Sequence, residues 1–346
     1  MFRNSLGAWA AACVVAFGFA SAMPAAAESD TVNKIKERGK LACGVGQGQR
    51  YGFSAPNDQG RWEGMDADYC RVVAAAILGD AEAVNFVPLS AKQRFPALQS
   101  GEIDLLVRVT TWTLSRDTTV GLQFAGLNFF TGITFMVNKE LGVSSALELD
   151  GASICVAPGS TQERVVSDFF SANNIQYTPI VIENQNEINE AYLSGRCDGI
   201  IGFTPGNAII RAYSAENPED HVILPENLAK EPLGPVVRQG DVEYYDIVNW
   251  AGFALLEAEE LGVTSENVDE MRNSDDPKIR RLLGVDPGVG EKLGLRETWA
   301  YDVIKNVGNY AEVFDRNLGD GSKLKLDRGL NRLWNDGGLL WAPPFG

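Results

Sequence analysis

The chain shows the same order of strands and helices twice, and this repetition limits the folds that are open to it. In the first half, strand and helix patterns alternate in the order 40–45, 66–78, 84–89, a helix that begins at Ser90, and 103–109. In the second half, they alternate in the order 153–157, 162–172, 179–183, 185–194 and 197–203. Such alternation is typical of βαβ units with parallel strands. We therefore predict an α/β protein with two βαβαβ units, which face each other as two lobes across a cleft.

The third strand of the first unit is followed by a polar loop that carries one well-placed cation. Ile103–Val109 is mostly apolar, and Thr110, Thr111, Thr113 and Arg116 follow it. Ligands of open α/β sheets bind outside the carboxyl ends of strands, and an arginine can hold a carboxylate through two parallel hydrogen bonds. The pattern favours a carboxylate site. The alternative is a surface arginine beside turn residues.

The second unit has an anion-binding candidate of its own at a helix start. Gly159, Ser160 and Thr161 lead into the helix at 162–172. Free backbone N–H groups and the helix dipole attract an anion there. Helix capping by Ser160 or Thr161 is the alternative. Together with Arg116 in the other unit, the turn predicts a carboxylate that is held from both lobes.

The first 27 residues have the pattern of an export signal. Arg3 precedes an apolar run at 6–20, and 24–27 ends in a small-x-small cleavage pattern. A lipid anchor at Cys13 is the alternative, although the apolar run continues past that cysteine. We expect cleavage near Ala27 and a soluble periplasmic protein.

Four cysteines remain after the signal, and an even number in an oxidising compartment favours disulfides. Each unit contains two of them, one on its first strand, which predicts the pairs Cys43–Cys70 and Cys155–Cys197. Metal binding is the competing interpretation. It has little support, because no Cys-x-x-Cys pair occurs and His221 is the single histidine.

The overall charge and the motif content exclude several classes of function. The formal net charge is −16, whereas nucleic-acid binding needs basic patches for the phosphates. The sequence has no glycine-rich phosphate loop and no metal-ligand spacing. We therefore expect no nucleic-acid partner, no cofactor and no metal.

A set of motifs that spans most of the chain resembles the periplasmic solute-binding proteins of polar and general L-amino acid ABC transporters, bacterial extracellular solute-binding protein family 3. The motifs are Gly-Phe-Ser-Ala-Pro at 52–56, Asp-Ala-Asp-Tyr-Cys-Arg at 66–71, Phe-Val-Pro-Leu-Ser-Ala-Lys at 86–92, Ala-Leu-Gln-Ser-Gly-Glu-Ile-Asp at 97–104, Thr-Thr-Trp-Thr-Leu-Ser-Arg at 110–116, Gly-Arg-Cys-Asp at 195–198, Lys-Glu-Pro-Leu-Gly-Pro at 230–235 and Gly-Gly-Leu-Leu-Trp-Ala-Pro-Pro-Phe at 337–345.

The resemblance implies a two-lobed periplasmic-binding-protein type II fold with a two-strand hinge. Residues 28–134 and 235–346 are expected to form lobe 1, and residues 135–234 lobe 2. It also implies a monomer that captures an amino acid or related small carboxylate, delivers it to an inner-membrane ABC permease complex and does no catalysis. Two alternatives stay open: a secreted enzyme of the same fold, such as a dehydratase, and a soluble ligand sensor.

The resemblance carries over unevenly to the ligand site. Arg116, Thr111 and the turn at Ser160 and Thr161 correspond to the family's α-carboxylate site. The family's ammonium-binding aspartate corresponds to Phe203. Carboxylate recognition is therefore expected to transfer, and ammonium recognition is not.

The remaining candidate contacts are apolar or aromatic. The family's small or amide side chain corresponds to Val109, whose carbonyl can still accept a hydrogen bond. Tyr51, Phe53, Trp112 and Phe203 are expected near the cleft, either packed on an apolar ligand or forming a cage for a methylated ammonium. Because burying an unpaired ammonium is costly, we expect a ligand with a carboxylate and a modified, absent or differently placed amine.

Overall fold

The computed structural model describes Met1 and residues 29–119 and 121–346. Beyond Met1, the predicted signal peptide lies outside the described residues, as do its cleavage site near Ala27 and the alternative lipid anchor at Cys13. No helix in the described part of the chain is long and apolar enough to cross a membrane.

The strands and helices have the following bounds. The strands are β1 Leu41–Gly46, β2 Ala55–Pro56, β3 Trp62–Glu63, β4 Val84–Leu89, β5 Leu105–Leu106, β6 Leu122–Phe124, β7 Phe129–Asn138, β8 Ala152–Val156, β9 Tyr177–Val181, β10 Gly199–Phe203, β11 His221–Ile223, β12 Ala229–Leu233 and β13 Val236–Arg238. The helices are α1 Asp30–Arg38, α2 Met65–Leu78, α3 Arg94–Ser100, α4 Leu114–Thr119, α5 Thr161–Asn173, α6 Gln185–Leu193, α7 Thr204–Ile209, α8 Val242–Glu260, α9 Val268–Met271, α10 Pro277–Leu282, α11 Val289–Lys292, α12 Trp299–Val307 and α13 Tyr310–Asn317.

Two sheets are built on the same plan. The first has the order β4-β1-β5-β13-β6, in which β1 runs parallel to both β4 and β5. The second has the order β11-β7-β10-β8-β9, in which β8 runs parallel to both β9 and β10, and β12 pairs with β7. In each sheet the first strand of the unit lies between the other two. The predicted α/β class with two βαβαβ units is confirmed.

The chain passes between the two sheets twice. It leaves the first sheet after Phe124 and enters the second at Phe129, then returns between Leu233 and Val236. At the crossings β7 and β12 are paired antiparallel, with Leu233 opposite Phe129. The division into lobes at 134–135 and 234–235 remains a prediction about which parts move together.

The carboxyl-terminal part of the chain covers the first sheet. Helix α2 is buried along almost its whole length because α8 and α12 pack against it on the side away from the sheet. Its end is set by Gly79, which adopts φ 75° and accepts the left-handed conformation without a Cβ clash. Tyr244 of α8 and Trp299 of α12 are among the largest fully buried side chains in this core.

Each unit contains one disulfide. Cys43–Cys70 joins β1 to α2, with a Cα–Cα distance of 6.1 Å. Cys155–Cys197 joins β8 to the turn before β10, with a Cα–Cα distance of 5.6 Å. The predicted pairing is confirmed. Neither bond links one sheet to the other, so neither restrains a change in the angle between the lobes.

Removing the second disulfide should destabilise the protein. Cys155→Ala combined with Cys197→Ala should lower the free energy of unfolding by about 2–4 kcal/mol, because the unfolded chain regains the freedom that the closed loop removes. Urea denaturation measures this difference. Reductant should lower the stability of the double variant further through Cys43–Cys70, and a double variant as stable as the wild type would contradict the expectation.

Candidate functional site

A cavity lies between the carboxyl ends of the strands of the two sheets. Its first-sheet side is formed by loops that follow β1, β4 and β5, and its second-sheet side by residues of β8, β10, α5, α6 and α7. The second-sheet side is apolar with several amides, including Gln162, Gln185 and Asn207. This is the position at which open α/β sheets bind ligands.

Contacts between the two sides show that the structure is closed over this cavity. The Gln49 N–H donates to Asn186 Oδ1 at 3.1 Å, and Ser90 Oγ donates to a carboxylate oxygen of Glu183 at 2.7 Å. The rings of Tyr51 and Tyr213 stack with centroids 4.6 Å apart. A molecule in the cavity is therefore enclosed by both lobes.

Three arginines line the first-sheet side, one after each of the strands β1, β4 and β5. Arg50 Nη2 donates to Gln185 Oε1 at 2.5 Å, and Arg108 Nε donates to the Leu89 carbonyl at 2.7 Å. The Arg94 guanidinium lies 4.7 Å from the centroid of the Phe95 ring. Nε of Arg50 and Nε of Arg94 are buried without a hydrogen-bond partner in the described part of the chain. These unpaired buried donors are costly unless a ligand satisfies them or offsets their charge.

Burial lowers the pKa values of these arginines, and repulsion between guanidinium groups lowers those of Arg94 and Arg108 further. Burial lowers the pKa of Arg50 to about 10, although the nearby Asp66 opposes the shift. Burial also lowers the pKa of Arg94 and of Arg108, and each of these guanidinium groups is further disfavoured by its arginine neighbours. The cavity wall is therefore a concentrated positive site that favours anions.

Asp66, in the first turn of α2, is one of two buried carboxylates next to this cluster. It accepts a hydrogen bond from the Val109 N–H at 3.1 Å. Burial raises the pKa of Asp66 to about 7, and the charges of Arg50 and Arg108 and the Val109 hydrogen bond oppose the shift. Asp66 therefore compensates the arginine charges only in part at neutral pH.

Val109 has an unusual backbone conformation, with φ 43°. A β-branched residue rarely adopts a left-handed conformation, because its side chain clashes with the backbone. Regular strand pairing already ends at Leu106, so the predicted strand at 103–109 is shorter in the structure. The turn aims the Val109 N–H at Asp66 and leaves Val109 in the cavity wall.

Glu231 of β12 is the second buried carboxylate, and it lies between the two lobes. Its Oε1 accepts hydrogen bonds from Thr111 Oγ1 at 2.7 Å, from Thr161 Oγ1 at 2.5 Å and from Gln162 Nε2 at 3.2 Å. Burial raises the pKa of Glu231, whereas the two hydroxyls and the charges of Arg116 and Arg94 oppose the shift. A carboxylate of the protein itself thus occupies the position between the two threonines.

Arg116 and Thr111, which were predicted to bind the ligand carboxylate, lie next to each other in the structure. Neither of them lines the cavity. Arg116 Nη1 donates to the Thr111 carbonyl at 3.0 Å, and the guanidinium lies 5.3 Å from the centroid of the Phe95 ring. Burial lowers the pKa of Arg116 to about 10, and Glu231 opposes the shift. A direct contact of either residue with the ligand stays a prediction.

Four other predicted residues line the cavity: Val109, Ser160, Thr161 and Phe203. The Ser160 hydroxyl caps α5 by accepting from the Glu163 N–H at 3.1 Å, which is the capping role considered as the alternative. Phe203 ends β10 and meets Phe53 edge to face at 5.1 Å. Their contact with a ligand stays a prediction.

The other predicted aromatic residues have protein partners. Phe53 is buried in the core of the first lobe, and Trp112 stacks on Phe124 with ring centroids 5.4 Å apart. Tyr51 stacks on Tyr213 at the rim, as described above. None of these three lines the cavity, and their predicted ligand contacts remain untested.

Sequence reasoning missed Arg50, Arg94, Arg108 and Glu231. Arg108 could have been identified from the sequence, because it is a charged residue near the end of a mostly apolar strand pattern. Arg94 follows the predicted helix start at Ser90, where a basic residue is unfavourable beside the helix dipole. Among the described residues, no cluster of histidine, cysteine or carboxylate side chains could hold a metal.

Glu231→Gln tests whether the charge of Glu231 stabilises the closed lobes. Glutamine keeps an oxygen acceptor for the two threonines but removes the negative charge near Arg116 and Arg94. The free energy of unfolding should fall by about 1–3 kcal/mol, because the hydroxyls of Thr111 and Thr161 lose a charged acceptor and the nearby guanidinium groups lose an opposing charge. Urea denaturation at about pH 8 measures it. The exposed Glu140→Gln should change stability by less than about 0.5 kcal/mol, and equal effects of the two variants would contradict the expectation.

Asp66→Asn tests the raised pKa of Asp66. An unfolded aspartate has a pKa of about 3.9, and the folded value is about 7. The native state therefore binds more protons between these values, so this group makes the free energy of unfolding fall as pH rises from about 4 to about 7. The variant keeps an acceptor for the Val109 N–H and does not titrate.

Between about pH 5 and about pH 8, the Asp66→Asn variant should therefore lose less stability than the wild type. Chemical denaturation of both proteins at both pH values gives the comparison. Identical pH dependence of the two proteins would show that Asp66 titrates in the folded state as it does in the unfolded state.

Comparison with known proteins gives a consistent result. Residues 43–267 match the bacterial extracellular solute-binding proteins, family 3. The chain is 50% identical over 346 residues to the general L-amino acid-binding periplasmic protein AapJ of Rhizobium johnstonii, with 99% of each chain covered. It is 48% identical over 327 residues to the glutamate/glutamine/aspartate/asparagine-binding protein BztA of Rhodobacter capsulatus, covering 94% of this chain and 96% of that one.

A solved structure is similar over nearly the whole length. It is the ABC transporter periplasmic binding protein from Brucella ovis with glutathione bound, with a TM-score of 0.89 and 52% identity, covering 92% of this chain and 100% of that one. The family match covers more than half of the chain, and the relatives are similar from end to end. The chain belongs to the bacterial extracellular solute-binding proteins of family 3.

Proposed function

We propose that this protein captures an amino acid or a related small carboxylate in the periplasm and delivers it to an inner-membrane ABC permease complex. The observation that carries the proposal is the closed cavity between the lobes, where Arg50, Arg94 and Arg108 are buried together. Arginine holds carboxylates through charge and paired hydrogen bonds. The relatives named as amino-acid-binding and periplasmic proteins support the same role.

The way the lobes are connected supports capture by closure. Two antiparallel strand segments, in β7 and β12, lie at the crossings, and the disulfides stay within single units. A two-strand connection of this kind allows hinge motion around a ligand. We propose that the protein works as a monomer after cleavage near Ala27, because a single chain provides both sides of the cavity.

Binding without chemistry is preferred to the alternative of a secreted enzyme. The relatives are named as binding proteins, two of them of amino acids. General acid–base catalysis needs a carboxylate, histidine or similar group within hydrogen-bond reach of the substrate. Among the described residues, the cavity lining offers arginines, amides and hydroxyls instead. Incubation of ligand with protein, followed by chromatography, separates the two functions, since an enzyme would convert the ligand.

A small peptide with two carboxylates is a second candidate ligand. The Brucella ovis protein holds glutathione, and a cluster of three arginines suits a ligand with more than one carboxylate. Glutathione therefore belongs in any ligand panel for this protein.

A ligand panel tests the proposal directly. Protein unfolded and refolded to remove bound ligand is screened by thermal shift with the standard L-amino acids, their deaminated and N-methylated analogues and glutathione. At least one carboxylate should stabilise the native state, by about 2.7 kcal/mol when its concentration is 100 times Kd. Calorimetry should then give one site per chain. Failure of every carboxylate to shift the midpoint would contradict the proposal.

Two variants test whether Arg108 or Arg116 binds the ligand carboxylate. Arg108→Met should weaken ligand binding at least about tenfold, equivalent to about 1.4 kcal/mol, because Arg108 lines the cavity. Arg116→Met is the matched control and should have a smaller effect, because Arg116 bonds to Thr111 and has Glu231 nearby. Calorimetry on both variants gives the comparison. A larger loss in Arg116→Met would place the ligand carboxylate at the site that the resemblance implies.

A further inference from the structure

Positively charged side chains outnumber negatively charged ones around the cavity. Three guanidinium groups line one wall of the cavity, those of Arg50, Arg94 and Arg108, and Arg116 lies near them, partly exposed and outside the lining. In the described part of the chain, the acids that offset them are Asp66 and Glu231. The three arginines of the lining therefore have no carboxylate beside them in the lining, and Asp66 and Glu231, outside it, offset their charge only in part. Uncompensated buried charge is expensive, so a bound molecule that brings further negative charge is favoured.

Both carboxylates are already committed to protein groups. Asp66 accepts the Val109 N–H, and Glu231 is held by Thr111, Thr161 and Gln162. Neither of them lines the cavity, and among the described residues the lining contains no aspartate or glutamate at all. A ligand ammonium would thus enter a site with three arginines and no carboxylate. Repulsion and lost hydration would both oppose its binding.

The opposite wall offers no charge to an ammonium either. Phe203 lies there with Ile200, Ile201 and Ile209. The amides of Gln185 and Asn207 are partly used by the protein, since Gln185 accepts from Arg50 and Asn207 donates to the Thr134 carbonyl at 3.0 Å. Most of this wall suits the carbon skeleton of a ligand. Asn207 Oδ1 is buried there without a hydrogen-bond partner among the described residues, and it offers a neutral acceptor rather than a negative charge.

We infer that the preferred ligand is an organic dianion, a dicarboxylate whose amine is absent or blocked by acylation, and that the site discriminates against zwitterionic α-amino acids. This inference rests on the proposed function, because it names the class of carboxylate that the same cavity takes. Two ligand carboxylates add the negative charge that Asp66 and Glu231 do not supply to Arg50, Arg94 and Arg108. An amine-free skeleton avoids placing a cation beside Arg50, Arg94 and Arg108.

The test uses pairs of ligands that differ only in the amine. Ligand-free wild-type protein is titrated by calorimetry with succinate and L-aspartate, glutarate and L-glutamate, and adipate and L-2-aminoadipate, which together cover three spacings of the carboxylates. N-acetyl-L-glutamate and L-glutamine complete the set. In the pair with the best spacing, the amine-free or N-acylated dianion should bind at least tenfold more tightly than the amino acid, and L-glutamine should bind more weakly than either.

The outcomes separate this inference from the proposed function. If standard L-amino acids bind more tightly than every matched dianion, the inference is overturned and the proposed function stands. If no amino acid, dicarboxylate or glutathione binds, both are overturned. Tight binding of glutathione together with weak binding of all simple dianions overturns the inference as well, because glutathione carries a free ammonium.

Substitution of Phe203 tests the missing negative charge. Phe203→Asp places a carboxylate in the cavity wall, so the ratio of L-amino acid affinity to dianion affinity should rise at least tenfold over wild type. Phe203→Asn is the matched control, since it loses the same ring without adding charge, and should leave this ratio within threefold. Equal ratios in the two variants would overturn the inference.

An arginine substitution keeps the test informative if the Phe203 variants fail to fold. Arg50→Gln removes one positive charge while keeping a polar side chain at the lining. The affinity for the best dianion should fall at least tenfold, and the affinity for the corresponding monocarboxylate, such as butyrate for glutarate, should fall less. Equal losses of affinity for the two ligands would show that the arginines do not bind the second carboxylate, and would overturn the inference.

Discussion

Burial of positive charge between the lobes is the constraint on which the rest of the site depends. Guanidinium groups lose hydration when they are enclosed, and neighbouring guanidinium groups on one wall of the cavity repel one another. Nε of Arg50 and Nε of Arg94 have no hydrogen-bond partner in the described part of the chain, and burial lowers the pKa of Arg50, Arg94 and Arg108. The closed arrangement is therefore favourable only to the extent that anions are enclosed with the arginines, and the protein supplies part of that compensation from its own chain.

Glu231 supplies compensation in a way that also joins the lobes. It lies on β12, next to the crossing, and binds Thr111 from the first lobe's loop and Thr161 from the start of α5. The position between these hydroxyls is where the family resemblance places the ligand carboxylate. Thr111 and Thr161, which the resemblance assigns to the ligand, bind this carboxylate of the protein in the structure, and Arg50, Arg94 and Arg108 are the positive groups that line the cavity.

The sequence allowed the fold to be predicted far better than the site. Alternating strand and helix patterns specify βαβαβ units because each element's burial pattern is local, and the two cysteines in each unit follow from the same local placement. The predicted strand at 103–109 is shorter in the structure, and Val109, beyond its end, has a backbone conformation that valine rarely adopts.

The site escaped prediction because its charges come together only through long-range contacts. Arg108 and Glu231 are more than a hundred positions apart in the sequence, and the bond from Thr111 to Glu231 depends on a return crossing that no local pattern specifies. The resemblance gave no sign of Glu231, and its assignment of Thr111, Thr161 and Arg116 to a ligand remains a prediction.

Closure and ligand charge are therefore coupled through one electrostatic balance. When the lobes separate, water reaches the guanidinium groups and their repulsion is screened. When the lobes close, the same charges must be matched by Asp66, Glu231 and whatever is bound. A ligand shifts such an equilibrium only by its difference in affinity for the two states, and an anion enclosed by arginines gains most of its interaction in the closed one. The charge that recognises the ligand is thus also the charge that makes closure depend on its presence.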